Sequence, residues 1–155
     1  MRTFGSADEL AAAVGATLGP GRWHPVAQDR VDLFADATDD HQWIHVDPER
    51  AAAGPFGGTV AHGYLTLSLL PALVRDVYRV DGLRMGINYG LNRVRFPAPL
   101  RTGGRIRASV RIDAVTEAAS GLQLVNTVTV ESDGGGKPVC VAETVSRLHF
   151  AREES

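Results

Sequence analysis

The pattern of apolar and polar positions divides the chain into a helical first half and a second half with the alternation of strands. Apolar residues in the first half recur at three- and four-residue intervals between charged ones, as on one face of a helix. The stretch from 39 to 47 is too polar and irregular to continue a helix. This pattern predicts short helices at Ala7–Val14, at Gln28–Ala37 and from near Pro48.

The segment His62–Tyr78 has apolar residues on nearly every side of a predicted helix. A helix that is apolar all round belongs in a protein interior, so this one is predicted to be the long central helix of the fold. Pro71 lies within it and should kink it, because proline removes one backbone hydrogen bond and crowds the preceding turn.

From Arg84 onward the apolar positions alternate with polar ones, which is typical of strands with one buried face. Gly103-Gly104, Ser120-Gly121 and the stretch from Asp133 to Pro138 supply the turns, so we expect an antiparallel meander. The buried face of such a sheet needs a cover, and the apolar helix can provide it. The predicted fold class is therefore α+β, with an antiparallel sheet wrapped around a central helix. The alternating apolar positions are Ile106, Ala108, Val110, Ile112, Leu122, Leu124, Val128, Val130, Val139, Val141 and Val145.

Length and composition favour one domain spanning residues 1–155. A chain of 155 residues can bury a sizeable core, and contents of 44% hydrophobic and 22% charged residues are those of an ordinary globular protein. No apolar run is long enough to span a membrane and no basic leader precedes the first apolar stretch, so we expect a cytoplasmic protein without a membrane partner. Cys140 is the only cysteine, and we expect it to pack as a small hydrophobe on a strand.

The arginines are concentrated in one part of the chain. Seven of them fall between Arg84 and Arg111, before the next acidic residue, Asp113. They could meet an anionic ligand such as a nucleotide phosphate, or equally could hydrate the outer face of strands. Nucleic-acid binding is disfavoured, because the net charge is -2 and few aromatic residues interleave the arginines.

Asp40 and His45 are the sharpest candidates for chemistry. A carboxylate and an imidazole that share one water can hold it, take its proton and return one during addition to a double bond. The spacing alone favours a helix-capping aspartate and a surface or core histidine over catalysis, and Asp39, Asp40 and Asp47 could each cap the short helices around them. A metal held by Asp40, His41, His45, Asp47 and His62 is a further alternative, but their spacing fits no familiar metal motif and we predict none.

Gly63 is the second candidate element. A glycine at the start of a buried helix exposes unpaired N–H groups that suit a thioester oxygen as it becomes an enolate. Close packing, or a turn that needs a permissive backbone, would explain the glycine equally well.

Three motifs together resemble the MaoC-like hydratases, including the (R)-specific enoyl-CoA hydratases and the nodulation-protein-N-like branch. The resemblance runs in order from about Asp29 to Phe150. The motifs are Asp40-His41-Gln42-Trp43-Ile44-His45, Pro55-Phe56 with Ala61-His62-Gly63-Tyr64-Leu65, and Tyr89-Gly90-Leu91-Asn92-Arg93-Val94-Arg95-Phe96-Pro97.

The resemblance implies a hot-dog fold, usually paired as a homodimer, and reversible hydration of a trans-2-enoyl thioester to an (R)-3-hydroxyacyl thioester. Asp40 and His45 would position and activate the water, and the Gly63 N–H would face the thioester carbonyl. The substrate would be a thioester of coenzyme A or of a carrier protein, and no metal or redox cofactor would be needed. The residues predicted to bind substrate are His62, Tyr89, Asn92, Arg93 and Arg95, the two arginines as phosphate contacts.

The chain departs from the common hydratase pattern at four positions. Asp39, Gln42, Trp43 and Pro71 stand where those enzymes often have glycine, asparagine, proline and serine. Two alternatives to a hydratase stay open: a hot-dog thioesterase that hydrolyses the thioester, and a module that binds acyl thioesters without turning them over.

Overall fold

The computed structural model describes residues 1–151, which form six short helices and eight strands. The helices are α1 (Ala7–Ala12), α2 (Gln28–Thr38), α3 (Trp43–Val46), α4 (Pro48–Ala52), α5 (Gly63–Ser68) and α6 (Leu70–Arg75). The strands are β1 (Arg2–Phe4), β2 (Thr17–Leu18), β3 (His24–Pro25), β4 (Tyr78–Val80), β5 (Leu83–Arg95), β6 (Arg105–Ala118), β7 (Gly121–Ser132) and β8 (Cys140–Phe150).

The three short helices predicted in the first half are confirmed, and two of them begin at side-chain caps. The Glu9 N–H donates to Ser6 Oγ at the start of α1, and the Arg50 N–H donates to Asp47 Oδ1 at the start of α4. The stretch 39–47 does not continue α2, as predicted, but it contains α3, a single helical turn that the sequence pattern did not indicate. A four-residue turn is too short to show a helical period, and contacts from distant residues hold α3 in place.

The predicted central helix consists of two consecutive helices, α5 and α6, that meet at Leu69. Pro71 was predicted to kink a single helix, but it lies in the first turn of a second helix, α6, where a missing N–H is tolerated. The prediction that this helix is buried on every side was wrong for the single chain. Leu65, Leu70 and Leu73 are buried, but Tyr64 is 70% exposed. Tyr78, predicted as the end of the helix, is the first residue of β4.

The main sheet is antiparallel and has the strand order β2-β6-β7-β8-β5, with β3 also paired to β6. Strands β6, β7 and β8 form the predicted meander. The preceding strand, β5, crosses to the far side and pairs with β8, so it is an edge strand of thirteen residues. Strands β1 and β4 form a separate parallel pair.

The core lies between the sheet and the α5–α6 segment, in agreement with the α+β prediction. The alternating apolar residues of β6, among them Ile106, Val110 and Ile112, are fully buried in the same cluster as Leu70 and Leu73. Gly63, the first residue of α5, packs against Phe96, the residue that follows β5.

Two smaller predictions can also be compared with the described residues. Cys140 is buried in the core at the start of β8, so the prediction that it packs as a small hydrophobe on a strand is confirmed, and burial raises the pKa of its thiol to about 11. Within residues 1–151, no helix has the length and apolarity needed to cross a membrane.

Candidate active site

Asp40 and His45 lie together beside His62. Asp39 ends α2 in a left-handed conformation (φ 58°), which turns the chain so that Asp40 begins the short connection to α3. One carboxylate oxygen of Asp40 and one ring nitrogen each of His45 and His62 lie within 4.8 Å of one another. Asp40 is 52% exposed and His45 is 7% exposed, so the cluster is open to solvent on the aspartate side.

A backbone carbonyl fixes the tautomer of His45. Its Nδ1 lies 2.6 Å from the carbonyl oxygen of Val60, and a carbonyl only accepts, so Nδ1 carries the proton. Nε2 is then the ring's proton acceptor. Burial lowers the pKa of His45, and the charge of His62 lowers it further, against opposing contributions from the Val60 hydrogen bond and Asp40. His45 is therefore neutral near pH 7, the state that a general base requires.

Gln28 at the start of α2 holds the turn that carries His45. Its side-chain amide donates to the carbonyl of His45 (2.7 Å) and accepts from the hydroxyl of Thr59 (2.6 Å). The Val60 N–H donates to the carbonyl of Ile44 (3.0 Å), so the 59–60 segment and α3 are joined on both sides. Sequence reasoning missed Gln28, because a glutamine on the polar side of a helix gives no signal of its partners.

His62 lies behind the Asp40–His45 pair and is 2% exposed. Its ring stacks on His45, with centroids 3.8 Å apart, and packs against Phe34 on another side. Its Nε2 donates to the backbone carbonyl of Asp40 (2.9 Å), while its Nδ1 is buried without a protein partner among the described residues. These contacts position both members of the pair, and the predicted contact of His62 with substrate stays a prediction.

Gly63 follows His62 as the first residue of α5, so no carbonyl of its own helix accepts its N–H. The ring of Phe96 covers its Cα so closely that a Cβ there would lie 3.0–3.1 Å from three ring atoms. Close packing therefore accounts for the glycine, and its φ lies outside the left-handed range, which removes the turn alternative. Gly63 also lines a cavity of about 270 Å³ together with Phe56 and Phe96.

The other four predicted substrate residues, Tyr89, Asn92, Arg93 and Arg95, are exposed along β5. Arg93 and Arg95 line a groove of about 400 Å³ with Glu143, and Asn92 donates to that carboxylate (2.6 Å). The described chain does not bring them into the Asp40–His45 cluster. Phe96, the residue after β5, contacts Gly63, so this strand ends beside the site. Their contact with substrate stays a prediction.

Three of the seven clustered arginines form ion pairs with nearby acids on the sheet. The pairs join Arg105 to Asp133 (2.8 Å), Arg107 to Glu131 (2.5 Å) and Arg111 to Asp113 (2.6 Å). For these three, the alternative of arginines that hydrate the outer face of strands is the better description.

The five candidate metal ligands do not all come together. His41 pairs with Asp36 (2.8 Å), and Asp47 caps α4, as the capping alternative predicts. Asp40, His45 and His62 alone form a group with suitable spacing in the described part of the chain. Two of their ring nitrogens already bond to carbonyls, and the absence of a metal stays a prediction.

Comparison with known proteins identifies the family. Residues 9–134 match the family model of the MaoC like domain. The chain belongs to the MaoC-like family. The resemblance inferred from the three motifs is thereby confirmed.

Relatives of this family match the chain over nearly its full length. The chain is 55% identical to the 3-hydroxyacyl-thioester dehydratase Z of Mycobacterium tuberculosis strain H37Rv, over 95% of this chain and 98% of that protein. It is 45% identical to nodulation protein N of Rhizobium leguminosarum bv. viciae, over 92% and 90%. The unliganded R-hydratase PhaJ1 of Pseudomonas aeruginosa has the same fold, with a TM-score of 0.71 and 22% identity over 89% and 83%. The predicted hot-dog fold is confirmed.

Proposed function

We propose that the protein catalyses the reversible hydration of a trans-2-enoyl thioester to an (R)-3-hydroxyacyl thioester. The observation that carries the proposal is the Asp40–His45 cluster, whose polar atoms lie within 4.8 Å of one another. A water that makes two hydrogen bonds of about 2.8 Å reaches both side chains across such a gap. The names of the 3-hydroxyacyl-thioester dehydratase and R-hydratase relatives support the same reaction class.

In the proposed reaction, Asp40 orients the water and His45 Nε2 removes its proton as the oxygen forms a bond to carbon 3. The electrons of the C2–C3 double bond move toward the thioester carbonyl, and its oxygen becomes an enolate that the Gly63 N–H stabilises. The proton then passes to carbon 2, so one water is added across the double bond. A neutral His45, protonated at Nδ1 by the Val60 contact, has the free lone pair that this step needs.

The thioester itself acidifies carbon 2, so the proposal includes no metal or redox cofactor. Coenzyme A or a carrier protein enters only as part of the substrate, and Arg93 and Arg95 are its proposed phosphate contacts. The cytoplasmic location stays a prediction that suits such a substrate.

Variants of neighbouring residues of the same type provide matched controls for the proposed pair. Asp40→Asn and His45→Gln should each lower hydration of a short enoyl thioester by about a hundredfold or more, the range for general acid–base groups. Asp39→Asn and His41→Gln should retain wild-type turnover, because Asn tolerates the left-handed conformation of Asp39 and His41 is an exposed ion-pair partner. Wild-type turnover in either Asp40→Asn or His45→Gln would refute the assignment.

Assays of the wild-type protein also distinguish a hydratase from the two alternatives, a thioesterase and a binding module. A thioesterase would release free thiol from a saturated acyl thioester, which a hydratase cannot hydrate. A pure binding module would bind the enoyl thioester tightly and leave its absorbance unchanged. Hydration without thiol release is the outcome that the proposal predicts.

We also propose that two copies pair through β5 as a homodimer. This thirteen-residue edge strand pairs with β8 on one side and has no strand on its other side among the described residues, and its apolar side chains Met85, Ile87, Tyr89 and Leu91 are 42–63% exposed. A long exposed apolar edge is normally covered. Pairing of β5 with β5 of a second copy would cover these side chains and continue the sheet.

A further inference from the structure

A cavity of about 350 Å³ lies beside the central helices, between α5–α6 and the strands β5, β7 and β8. Its helical wall begins at Leu67, four residues after Gly63, which is about 6 Å along the helix. Leu70, Pro71 and Val74 continue this wall. The cavity and Gly63 therefore lie along the same helical segment, and the cavity's helical wall is largely apolar.

One buried residue of this cavity is polar where the sheet pattern calls for an apolar side chain. Asn126 lies on the core face of β7 between Leu124 and Val128, which are 2% and 0% exposed. Asn126 itself is 3% exposed and lines the cavity. Burial of an amide is unfavourable unless its polar atoms are paired, so this position needs a partner.

The protein supplies only half of that pairing. The Asn126 Nδ2 donates to the hydroxyl oxygen of Tyr78 (2.9 Å), and Tyr78 is itself only 8% exposed. The Asn126 Oδ1 is buried without a partner among the described residues. Because Tyr78 accepts in this contact, its own O–H proton is available to a second acceptor. The amide–phenol pair, Asn126 and Tyr78, both of which line the cavity, therefore has one acceptor and one donor without a partner among the described residues.

A hydroxyl group is complementary to this pair, since it can donate to Asn126 and accept from Tyr78 at the same time. A turn of the amide by 180° exchanges the roles of its oxygen and nitrogen, and a hydroxyl still satisfies both groups. A methyl group at the same place would leave the amide unpaired. We infer that the cavity selects acyl thioesters that carry a second hydroxyl group, distant from the carbons that react. This inference rests on the proposed function and specifies its substrate class.

The test uses matched enoyl thioesters of increasing chain length that end in either a hydroxyl or a methyl group. At the length that places the terminus beside the amide–phenol pair, the hydroxyl-ended substrate should have a kcat/KM about tenfold higher, the value of one or two net hydrogen bonds. The double variant Asn126→Leu/Tyr78→Phe should reverse this preference. It should also fold, because removal of both partners of a buried hydrogen bond is close to neutral.

Tyr78→Phe alone is the conservative second variant and should reduce the preference without reversing it. Thr129→Val is the matched control, since Thr129 lies on the opposite face of β7, and it should keep the wild-type preference. Equal or better use of the methyl-ended partner at every length, with normal hydration, would overturn the inference and leave the proposed function intact.

If neither series is hydrated, the proposed function fails and binding decides the inference separately. Saturated hydroxyl- and methyl-ended acyl thioesters would then be titrated by calorimetry into the wild-type protein and the double variant. Tighter binding of the hydroxyl-ended ligand to the wild type alone supports the inference, and equal binding overturns it.

Discussion

The contact between Gly63 and Phe96 gives a prediction that separates packing from chemistry. In Gly63→Ala the new methyl group would lie 3.0–3.1 Å from three atoms of the Phe96 ring, where ordinary contacts begin near 3.4 Å. The ring or the start of α5 must therefore move by a few tenths of an ångström. Because the backbone of Gly63 is outside the left-handed range, nothing else opposes the alanine.

The expected effect on stability is small. Overpacking typically costs about 1–3 kcal/mol, and alanine in place of glycine in a helix gains about 1 kcal/mol. The two contributions partly cancel, so thermal unfolding should show a net loss of about 2 kcal/mol or less.

The expected effect on activity is larger, because the displaced group is the N–H proposed to stabilise the enolate. Loss of one such donor typically lowers kcat by about 100- to 1000-fold, and a partial displacement should cost about ten- to a hundredfold in kcat/KM. Hydration of an enoyl thioester, followed by the loss of its absorbance, measures this directly.

Phe96→Leu provides the control, since it removes the ring that the new methyl group meets. The double variant Gly63→Ala/Phe96→Leu should have a higher kcat/KM than Gly63→Ala alone. Phe96→Leu by itself should not raise kcat/KM above that of the wild type. Wild-type kcat/KM in Gly63→Ala, or a double variant no more active than the single one, would refute the reasoning.

Three further predictions follow from the same contacts. The lowered pKa of His45 means that this base stays neutral as the pH falls below 6.5. The acid limb of the kcat/KM profile should therefore have its midpoint below pH 6.5, and a midpoint above that value would contradict the assignment of His45 as the base. Gln28→Leu leaves the His45 carbonyl and the Thr59 hydroxyl without their partner, which should cost about 1–3 kcal/mol in urea unfolding and lower kcat. Ile87→Lys on the β5 edge should yield a monomer in sedimentation. The control Leu33→Lys, at a 68% exposed position on α2, should leave the wild-type assembly unchanged. A dimer in both variants would exclude pairing through β5.

The sequence predicted those features that depend on short stretches of chain. The alternation in β6 identified its buried face, and the motif from Asp40 to His45 identified two side chains that a single turn brings together. Chain-local periodicity fixes which face of an element is buried, so these predictions needed no tertiary information.

Features that depend on distant residues were missed or incomplete. The Val60 carbonyl that fixes the tautomer of His45 is a backbone group, so the identity of the side chain at position 60 does not reveal this contact. The pairing of β5 with β8 rather than with the adjacent β6 is a choice between strands of similar pattern. Asn126, in contrast, could have been identified from the sequence. It is a polar residue at an apolar position of the alternating pattern of β7, and a buried amide needs a hydrogen-bond partner from the protein or from a ligand.

The proposed sharing of one water by Asp40 and His45 is tested most directly by hydration in water labelled with oxygen-18. The account predicts that one labelled oxygen appears in the 3-hydroxyl group of an intact thioester with (R) configuration, and that Asp40→Asn and His45→Gln form almost none of this product. Label in a free carboxylate would mean that the thioester had been hydrolysed. That result, or full incorporation by either variant, would contradict the account.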